Sequence, residues 1–292
     1  MTPQRIGWLT AGVLVSAVVA LVTIWLLDSE AAEDAPPTPP PNLSFISPSV
    51  NITPDENRFV ITVWQGGDYF TDITRMEVAA RNPNQAGHPV TWRGEAQNYN
   101  DYAIPYWVVY PDFTATGLWR VEASVHTSDG AQISGTLIAN VGRPPASVLT
   151  GMTAPPSDTL SNADGRDLFR MTSDATPLRG LYDLSIADAL ANERPSIIFF
   201  ASPGLCSNAI CAPVVDSTAE AVYEAYSDRF NVLHVEIYDL DTADYVPAME
   251  EWGLTYEPWT YIVSPDGQVV NRYDGPISLT ELAPYLEAGG AF

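Results

Sequence analysis

The sequence predicts a multidomain protein with an N-terminal transmembrane helix, an all-β sandwich and a C-terminal α/β domain. An uncharged run near the N-terminus is long enough to cross a membrane. Short strand patterns separated by turn clusters follow it, and strands then alternate with helices to the C-terminus. The predicted boundaries are a cytoplasmic tail at 1–5, the anchor at 6–27, a stalk at 28–43, the sandwich at 44–143, a linker at 144–179 and the α/β domain at 180–292.

The anchor is the stretch IGWLTAGVLVSAVVALVTIWLL, residues 6–27, which carries no charge. Its length suits the ~30 Å hydrocarbon layer, and Trp8 and Trp25 lie where interfacial aromatic residues occur. Arg5 precedes it and acidic residues follow it, so the positive-inside bias puts the C-terminal domains outside the cytoplasm. A cleaved signal peptide is the alternative, since Ser29-Glu30-Ala31 offers small residues, but the run exceeds the ~7 to 15 residues of such peptides. We therefore expect a single-pass cell-membrane protein with extracytoplasmic domains.

The chain is strongly acidic, with a net charge of -23 from 36 acidic and 13 basic residues, and every basic residue is arginine. Nucleic acid is not an expected partner, because phosphate backbones are bound by basic patches. The acidic surface favours solubility. The chain has 2 cysteines. Outside the cytoplasm, where disulfides persist, two cysteines close in sequence are expected to pair.

The region after the anchor is rich in proline and then in strand patterns. EDAPPTPPPN favours an extended polyproline stalk. The segments with the β-branched and aromatic composition of strands are RFVITVW, RMEVAAR, YWVVY, LWRVEASVH and AQISGTLIANV. They resemble an immunoglobulin-like sandwich that lacks an internal cysteine pair. His88 and His126 are isolated, so no catalytic group is expected there. Residues 144–179 are rich in Pro, Ser, Thr, Asp and Gly and predict a linker.

The C-terminal pattern predicts strands and helices in the order βαβαββα, which is typical of a mixed sheet. Ser185 is a plausible N-cap for a short helix, and PSIIFFAS is a continuous apolar run of the kind that forms a buried strand. The other predicted elements are a helix at 212–228, a strand at 231–239, a helix at 243–252, two strands around a turn at 264–267 and a closing helix at 278–287.

The two cysteines, Cys206 and Cys211, are separated by four residues. On a helix, residues at this spacing have Cα atoms roughly 8 to 9 Å apart, whereas a disulfide needs ~4.4 to 6.8 Å. Pro213 is tolerated only in the first turn of a helix, because it lacks an N–H. The helix is therefore expected to begin near Cys211, which leaves Cys206 in a loop and free to fold back within bonding range.

Three features of residues 180–292 resemble the thioredoxin fold. FFAS runs straight into the cysteine loop, APVVD begins a helix with a proline in it, and Glu257-Pro258-Trp259-Thr260 precedes the hairpin. SPGLCSNAICAPVVD and LYDLSIADAL are similar to segments of membrane-anchored bacterial thioredoxin-domain proteins. The resemblance implies that Pro258 is a cis-proline facing the thiols and that Glu257, Pro258 and Trp259 bind the substrate. A trans-proline that ends a loop is the alternative.

The resemblance also implies thiol–disulfide exchange, with extracytoplasmic protein thiols or disulfides as partners. Cys206 is the predicted nucleophile, because the positive end of the following helix dipole favours its thiolate. Cys211 is the predicted resolving thiol. His234 takes the place of a buried lysine of thioredoxins and is the predicted proton-transfer group. The alternative for His234 is a core histidine bonded to the backbone.

Other functions stay open. Peroxiredoxins can place two cysteines five apart after Thr-Pro-Gly, which Ser202-Pro203-Gly204 partly matches, but Leu205 intrudes and Pro258-Trp259 replaces the arginine that stabilises peroxide. Copper chaperones use two cysteines and a histidine, for which only His234 is available. A non-catalytic binding or scaffold protein would use the disulfide as a brace, which contributes on the order of 2 kcal/mol. No cofactor and no metal are expected.

Overall fold

The described part of the chain consists mainly of β-sheet. The computed structural model describes residues 42–50, 52–54, 57–142, 147–206 and 209–288. These residues belong to one compact unit, Asn42–Phe292. They form thirteen strands in three sheets, together with short helices.

Two antiparallel sheets are formed by the strands that precede residue 142. The first contains β1 Ser44–Ile46, β2 Phe59–Gln65, β3 Asp68–Tyr69, β6 Gln97–Tyr99 and β7 Tyr106–Val109. Its order is β1-β2-β7-β6, and β3 pairs with β2. The second contains β4 Arg75–Arg81, β5 Val90–Glu95, β8 Gly117–His126 and β9 Gln132–Val141, in the order β5-β4-β8-β9.

Alternating side chains build the core between these two sheets. Trp119, Val121, Ala123 and Val125 are buried at every second position of β8, and the residues between them are more exposed. This alternation follows from strand geometry, in which successive side chains point to opposite faces. The buried set packs with residues of the first sheet, including Ile61. The two sheets therefore bury their inner faces in one shared core.

The third sheet is mixed and contains β10 Ser196–Ala201, β11 Asn231–Glu236, β12 Trp259–Val263 and β13 Val269–Asp274. Its order is β11-β10-β12-β13, with β10 parallel to β11 and antiparallel to β12. Every residue of β10 is buried, because the sheet is covered on both faces. Ile197 and Phe199 pack into one core, and Ile198 and Phe200 pack into another.

The helices around the third sheet are short. They are Ile186–Ala191, Cys211–Pro213, the π-helical segment Val214–Ala219, Glu220–Tyr226, Pro247–Glu251 and Leu279–Glu287. Ser185 caps the first of these, since its side chain accepts a hydrogen bond from the Asp188 N–H at 3.1 Å.

The segment predicted as a linker contributes buried side chains to the third sheet. Val148 and Ala154 belong to the core that contains Phe200, and Met171 belongs to the core that contains Phe199. Single-turn helices occur at Asn162–Asp164, Leu168–Arg170 and Arg179–Tyr182. The domain boundaries stay a prediction. Several side chains of residues 147–182 are nevertheless buried in the cores on the two faces of the third sheet.

A buried ion pair joins the first sheet to the last helix. The Arg58 guanidinium donates to both carboxylate oxygens of Glu281, at 2.7 and 2.8 Å, and to the backbone oxygens of Asp274 and Pro276. The Tyr106 hydroxyl donates to the same carboxylate at 2.7 Å. Burial is the largest influence and would lower the pKa of Arg58, but the charge and hydrogen bond of Glu281, together with Tyr106 and Asp274, outweigh it and the pKa is raised. Both charges are therefore paired within the protein.

The predicted fold class is wrong. The sequence predicts a transmembrane helix, an immunoglobulin-like sandwich and a thioredoxin-like α/β domain. The described residues are instead mainly β, and the longest α-helix among them, Leu279–Glu287, has 9 residues. The helices expected at 212–228 and 278–287 correspond to helical segments at 211–226 and Leu279–Glu287. The helix expected at 243–252 is confined to Pro247–Glu251, since Pro247 lacks the N–H needed in a helix interior.

The predicted membrane location is also corrected. The proposed anchor at 6–27, its tail and most of the stalk lie outside the described residues. Across the part of the chain that the structure describes, no helix has the length and apolar character to span a bilayer. A single-pass membrane protein with extracytoplasmic domains therefore has no support from the structure.

We expect Arg58→Met to destabilise the protein strongly, because it leaves the Glu281 charge buried without its partner. Loss of one member of a buried pair costs about 3 to 5 kcal/mol. Urea unfolding of the wild type and the variant measures this cost. Arg170→Met is the matched control: its ion pair with Asp241 is exposed, and exposed pairs contribute about 0 to 1 kcal/mol. Equal losses of unfolding free energy in the two variants would contradict the structural role of Arg58.

Candidate functional site

Cys206 and Cys211 form a disulfide, and their Cα atoms are 6.1 Å apart. The predicted pairing is thus confirmed. Cys211 is the first residue of the helix Cys211–Pro213, and Cys206 lies in the preceding loop. The Cα separation is within the range of disulfides and shorter than a helix gives at this spacing. Because the helix begins only at Cys211, Cys206 can fold back and the two sulfurs can form a bond.

The loop before the disulfide is held by one hydrogen bond within the loop and by another to a residue that is distant in sequence. The Cys206 N–H donates to the Ser202 carbonyl at 3.0 Å, and the Gly204 N–H donates to Ser173 Oγ at 2.9 Å. A Cβ at Gly204 would lie 2.6 Å from the Ser173 backbone oxygen, so this close approach requires glycine. Ser173 Oγ in turn donates to the Glu236 carboxylate at 2.6 Å.

The two cysteines differ in exposure. Cys211 is completely buried, at 0% exposure, and packs in a core with Val214 and Val215. Cys206 is only partly buried, and its neighbour Leu205 is 49% exposed. A molecule in solution therefore reaches Cys206 more easily than Cys211.

Glu257 brings a carboxylate to the disulfide. One of its oxygens and the two sulfurs all lie within 4.8 Å of one another, so Cys206, Cys211 and Glu257 are the residues here that could hold a metal ion. The Tyr238 hydroxyl donates to Glu257 Oε1 at 3.4 Å. Burial is the main cause of a raised Glu257 pKa; the Tyr238 hydrogen bond opposes it and the nearby Glu236 charge adds to it. Glu257 is thus an acidic group next to both sulfurs.

Pro258 and Trp259 follow Glu257 directly. The peptide bond between Glu257 and Pro258 is cis, as predicted. Trp259 is 2% exposed and packs against Tyr256 and Tyr261, so its ring belongs to the core. The substrate-binding role of Glu257, Pro258 and Trp259 stays a prediction, and the burial of Trp259 leaves little of its side chain for a partner to contact.

Both ring nitrogens of His234 have partners inside the protein. Nε2 lies 3.1 Å from the Ala201 carbonyl, which can only accept, so Nε2 donates. Nδ1 then accepts from the Tyr182 hydroxyl at 2.7 Å. Burial lowers the pKa of His234, against the opposing influence of Glu236 and Asp174. The geometry is that of a core histidine bonded to the backbone, and the proton-transfer role stays a prediction.

Sequence reasoning missed three residues that shape the site. Ser173 and Glu236 support the loop, and Tyr238 contacts Glu257. Glu236 had a recognisable signal, because it is a carboxylate at the end of an otherwise apolar strand pattern and is 6% exposed. Ser173 had no signal, since it lies in a polar segment with no periodicity.

A cavity of about 680 Å³ opens beside β11 and shares residues with the site. Its lining includes Glu236 and Tyr238, and also Asp239 and Asp241. Tyr238 therefore lies between the cavity and Glu257.

Comparison with known proteins gave no match to a family model, a curated protein or a solved structure. The resemblance to thioredoxin-like proteins therefore stays a prediction, and the geometry of the site is the remaining guide to its chemistry.

We expect His234 to make the protein less stable as the pH falls below about 6.5, the ordinary histidine pKa. Its native pKa is lowered, so the unfolded chain binds a proton that the native protein does not. Stability is then complete above about 6.5 and is lost below it, by about 1 kcal/mol between pH 7 and 5.5. Urea unfolding at the two pH values measures the loss.

His234→Gln is the comparison variant for this prediction. Its amide can donate to Ala201 and accept from Tyr182, but it does not titrate. We expect this variant to lose about 1 kcal/mol less than the wild type over the same pH interval. An identical loss in both proteins would show that His234 does not cause the pH dependence.

Proposed function

We propose that the protein carries out thiol–disulfide exchange through Cys206 and Cys211. The observation that supports this best is the unequal burial of the two cysteines: Cys206 is partly buried in a loop, and Cys211 is completely buried at the start of a helix. An exchange site needs one sulfur that a partner can reach and a second that stays nearby. A disulfide that only braces a loop has no need for this asymmetry.

The exchange proceeds in two balanced steps. A partner thiolate attacks the Cys206 sulfur, the bond to Cys211 breaks, and the electron pair leaves with the Cys211 sulfur, which then takes up a proton. A second thiolate of the partner then attacks the partner sulfur that is bonded to Cys206. The partner's own disulfide forms, and Cys206 is released as a thiolate. The partner loses two electrons and the protein gains them. The same steps in reverse oxidise the protein's dithiol while a partner disulfide is reduced.

Protein thiols or disulfides are the proposed partners. Leu205, next to the accessible sulfur, is exposed and offers apolar surface for a polypeptide. The net charge of -23 argues against nucleic acid. The second candidate function, a binding or scaffold protein with a bracing disulfide, is favoured by the hydrogen bonds that fix the loop through Ser173.

The reduction potential of the pair separates exchange from bracing. We expect a value of roughly -120 to -230 mV, as in exchange proteins, when the wild type is equilibrated with glutathione buffers and its thiols are quantified. The Cys206→Ser variant, which cannot form the disulfide, gives the baseline. A potential below about -300 mV would show that the disulfide is a structural brace.

Trapping of the mixed disulfide tests which cysteine is the attacking nucleophile. We expect reduced Cys211→Ser to accumulate a stable adduct with oxidised glutathione through Cys206, because no resolving thiol remains. Cys206→Ser should form its adduct much more slowly, because Cys211 is buried. Mass spectrometry of the quenched reactions measures both rates. Equal rates in two folded variants would contradict the assignment of Cys206 as the preferred nucleophile.

A further inference from the structure

We propose that the reduced form of this site binds one Zn²⁺ through Cys206, Cys211 and Glu257. The inference rests on the proposed function only in that the disulfide must be reducible. It assigns a second activity to the site, redox-dependent metal binding.

The geometry brings three ligands of suitable chemistry together. The two sulfurs and the Glu257 oxygen lie within 4.8 Å of one another. Zinc bonds of about 2.3 Å to sulfur and 2.0 to 2.2 Å to oxygen put tetrahedral ligand atoms roughly 3.3 to 3.8 Å apart. The sulfurs can reach such a spacing after reduction, since the bond that holds them together is gone. A shift of about one ångström in the Glu257 oxygen is then sufficient.

The choice of Glu257 over Glu236 follows from their hydrogen bonds. Glu236 is buried, and its carboxylate accepts from the N–H and hydroxyl of Ser173 and from the N–H groups of Ile237 and Tyr238. Glu257 is only partly buried and accepts one long hydrogen bond from Tyr238. Glu257 therefore has a free oxygen for a metal, and Tyr238 can orient the carboxylate as outer partners of metal ligands do.

The electrostatic setting favours a cation. Once both sulfurs are thiolates, the site contains three negative charges, and Glu236 is close enough to act on Glu257. The chain contains no lysine. A divalent cation offsets the repulsion among these groups, whereas the oxidised pair carries no charge and offers no sulfur ligand.

The ligand types identify the metal. Thiolates favour zinc and copper(I) over magnesium and calcium, and a carboxylate oxygen suits zinc better than copper(I). Three protein ligands leave one tetrahedral position for water. Cys206 and Glu257 are both partly exposed, which gives the ion a path of entry.

Zinc binding follows reduction of the disulfide. Two equivalents of a small-molecule thiol reduce the disulfide and are oxidised to their own disulfide. Both cysteine thiols then lose a proton to the buffer as they bind Zn²⁺. The bound sulfurs are not free to attack a disulfide, so zinc inhibits exchange at the site.

Calorimetric titration of the full chain with ZnCl₂ tests the proposal. After reduction and removal of the reductant, we expect one Zn²⁺ per chain and release of about two protons, measured by repeating the titration in buffers of different ionisation enthalpy. The oxidised protein should not bind at the site. Glu257→Gln should weaken zinc binding by at least roughly 10-fold. Glu251→Gln, at an exposed carboxylate of the neighbouring helix, should leave the affinity unchanged.

Zinc affinity that is the same in the reduced and oxidised proteins, or the same in Glu257→Gln and the wild type, would overturn the proposal. Exchange with glutathione is assayed separately on the metal-free protein. If the protein exchanges with glutathione but does not bind zinc, only the zinc proposal is contradicted. If the disulfide cannot be reduced in the folded protein, both the zinc proposal and the proposed function are contradicted.

Discussion

The disulfide site depends on the buried carboxylate of Glu236. A charged group that is removed from water must be satisfied by hydrogen bonds, and Glu236 obtains two of these from Ser173. The Ser173 hydroxyl, fixed in this way, accepts the Gly204 N–H and lies 3.1 Å from the Ser202 hydroxyl. The Ser202 carbonyl then accepts the Cys206 N–H. The position of Cys206 thus follows from the need to satisfy one carboxylate at the end of β11.

The third sheet supplies the framework for this arrangement. β10 and β11 are parallel, so Ala201 and Glu236, the last residues of the two strands, pair at the same end of the sheet. The cysteine loop follows β10 at this end of the sheet. Glu257 lies two residues before the start of β12, which pairs with the other side of β10. Three neighbouring strands therefore converge on the two sulfurs. The hydrogen bonds of β10 on both sides make this part of the site rigid.

The parts of the site that sequence reasoning could predict are those governed by local rules. Pro213 restricts where a helix can start, so the loop position of Cys206 and the pairing with Cys211 were predictable. The cis bond at Pro258 was predicted from a resemblance. Contacts between residues far apart in the sequence were not predictable. The hydrogen bond between Gly204 and Ser173, for example, joins residues 31 positions apart. One helix was overextended for a related reason: the helix expected at 243–252 begins only at Pro247.

The proposed exchange and the proposed metal binding need different charge states of the same two sulfurs. The disulfide is neutral, so Glu257 and Glu236 can lie near it without repulsion between the acidic groups and the sulfur atoms. Reduction creates thiols whose ionised forms are disfavoured by both carboxylates. A cation at the site offsets this repulsion. A reduced, metal-free pair is therefore expected either to react with a partner disulfide or to bind a zinc ion.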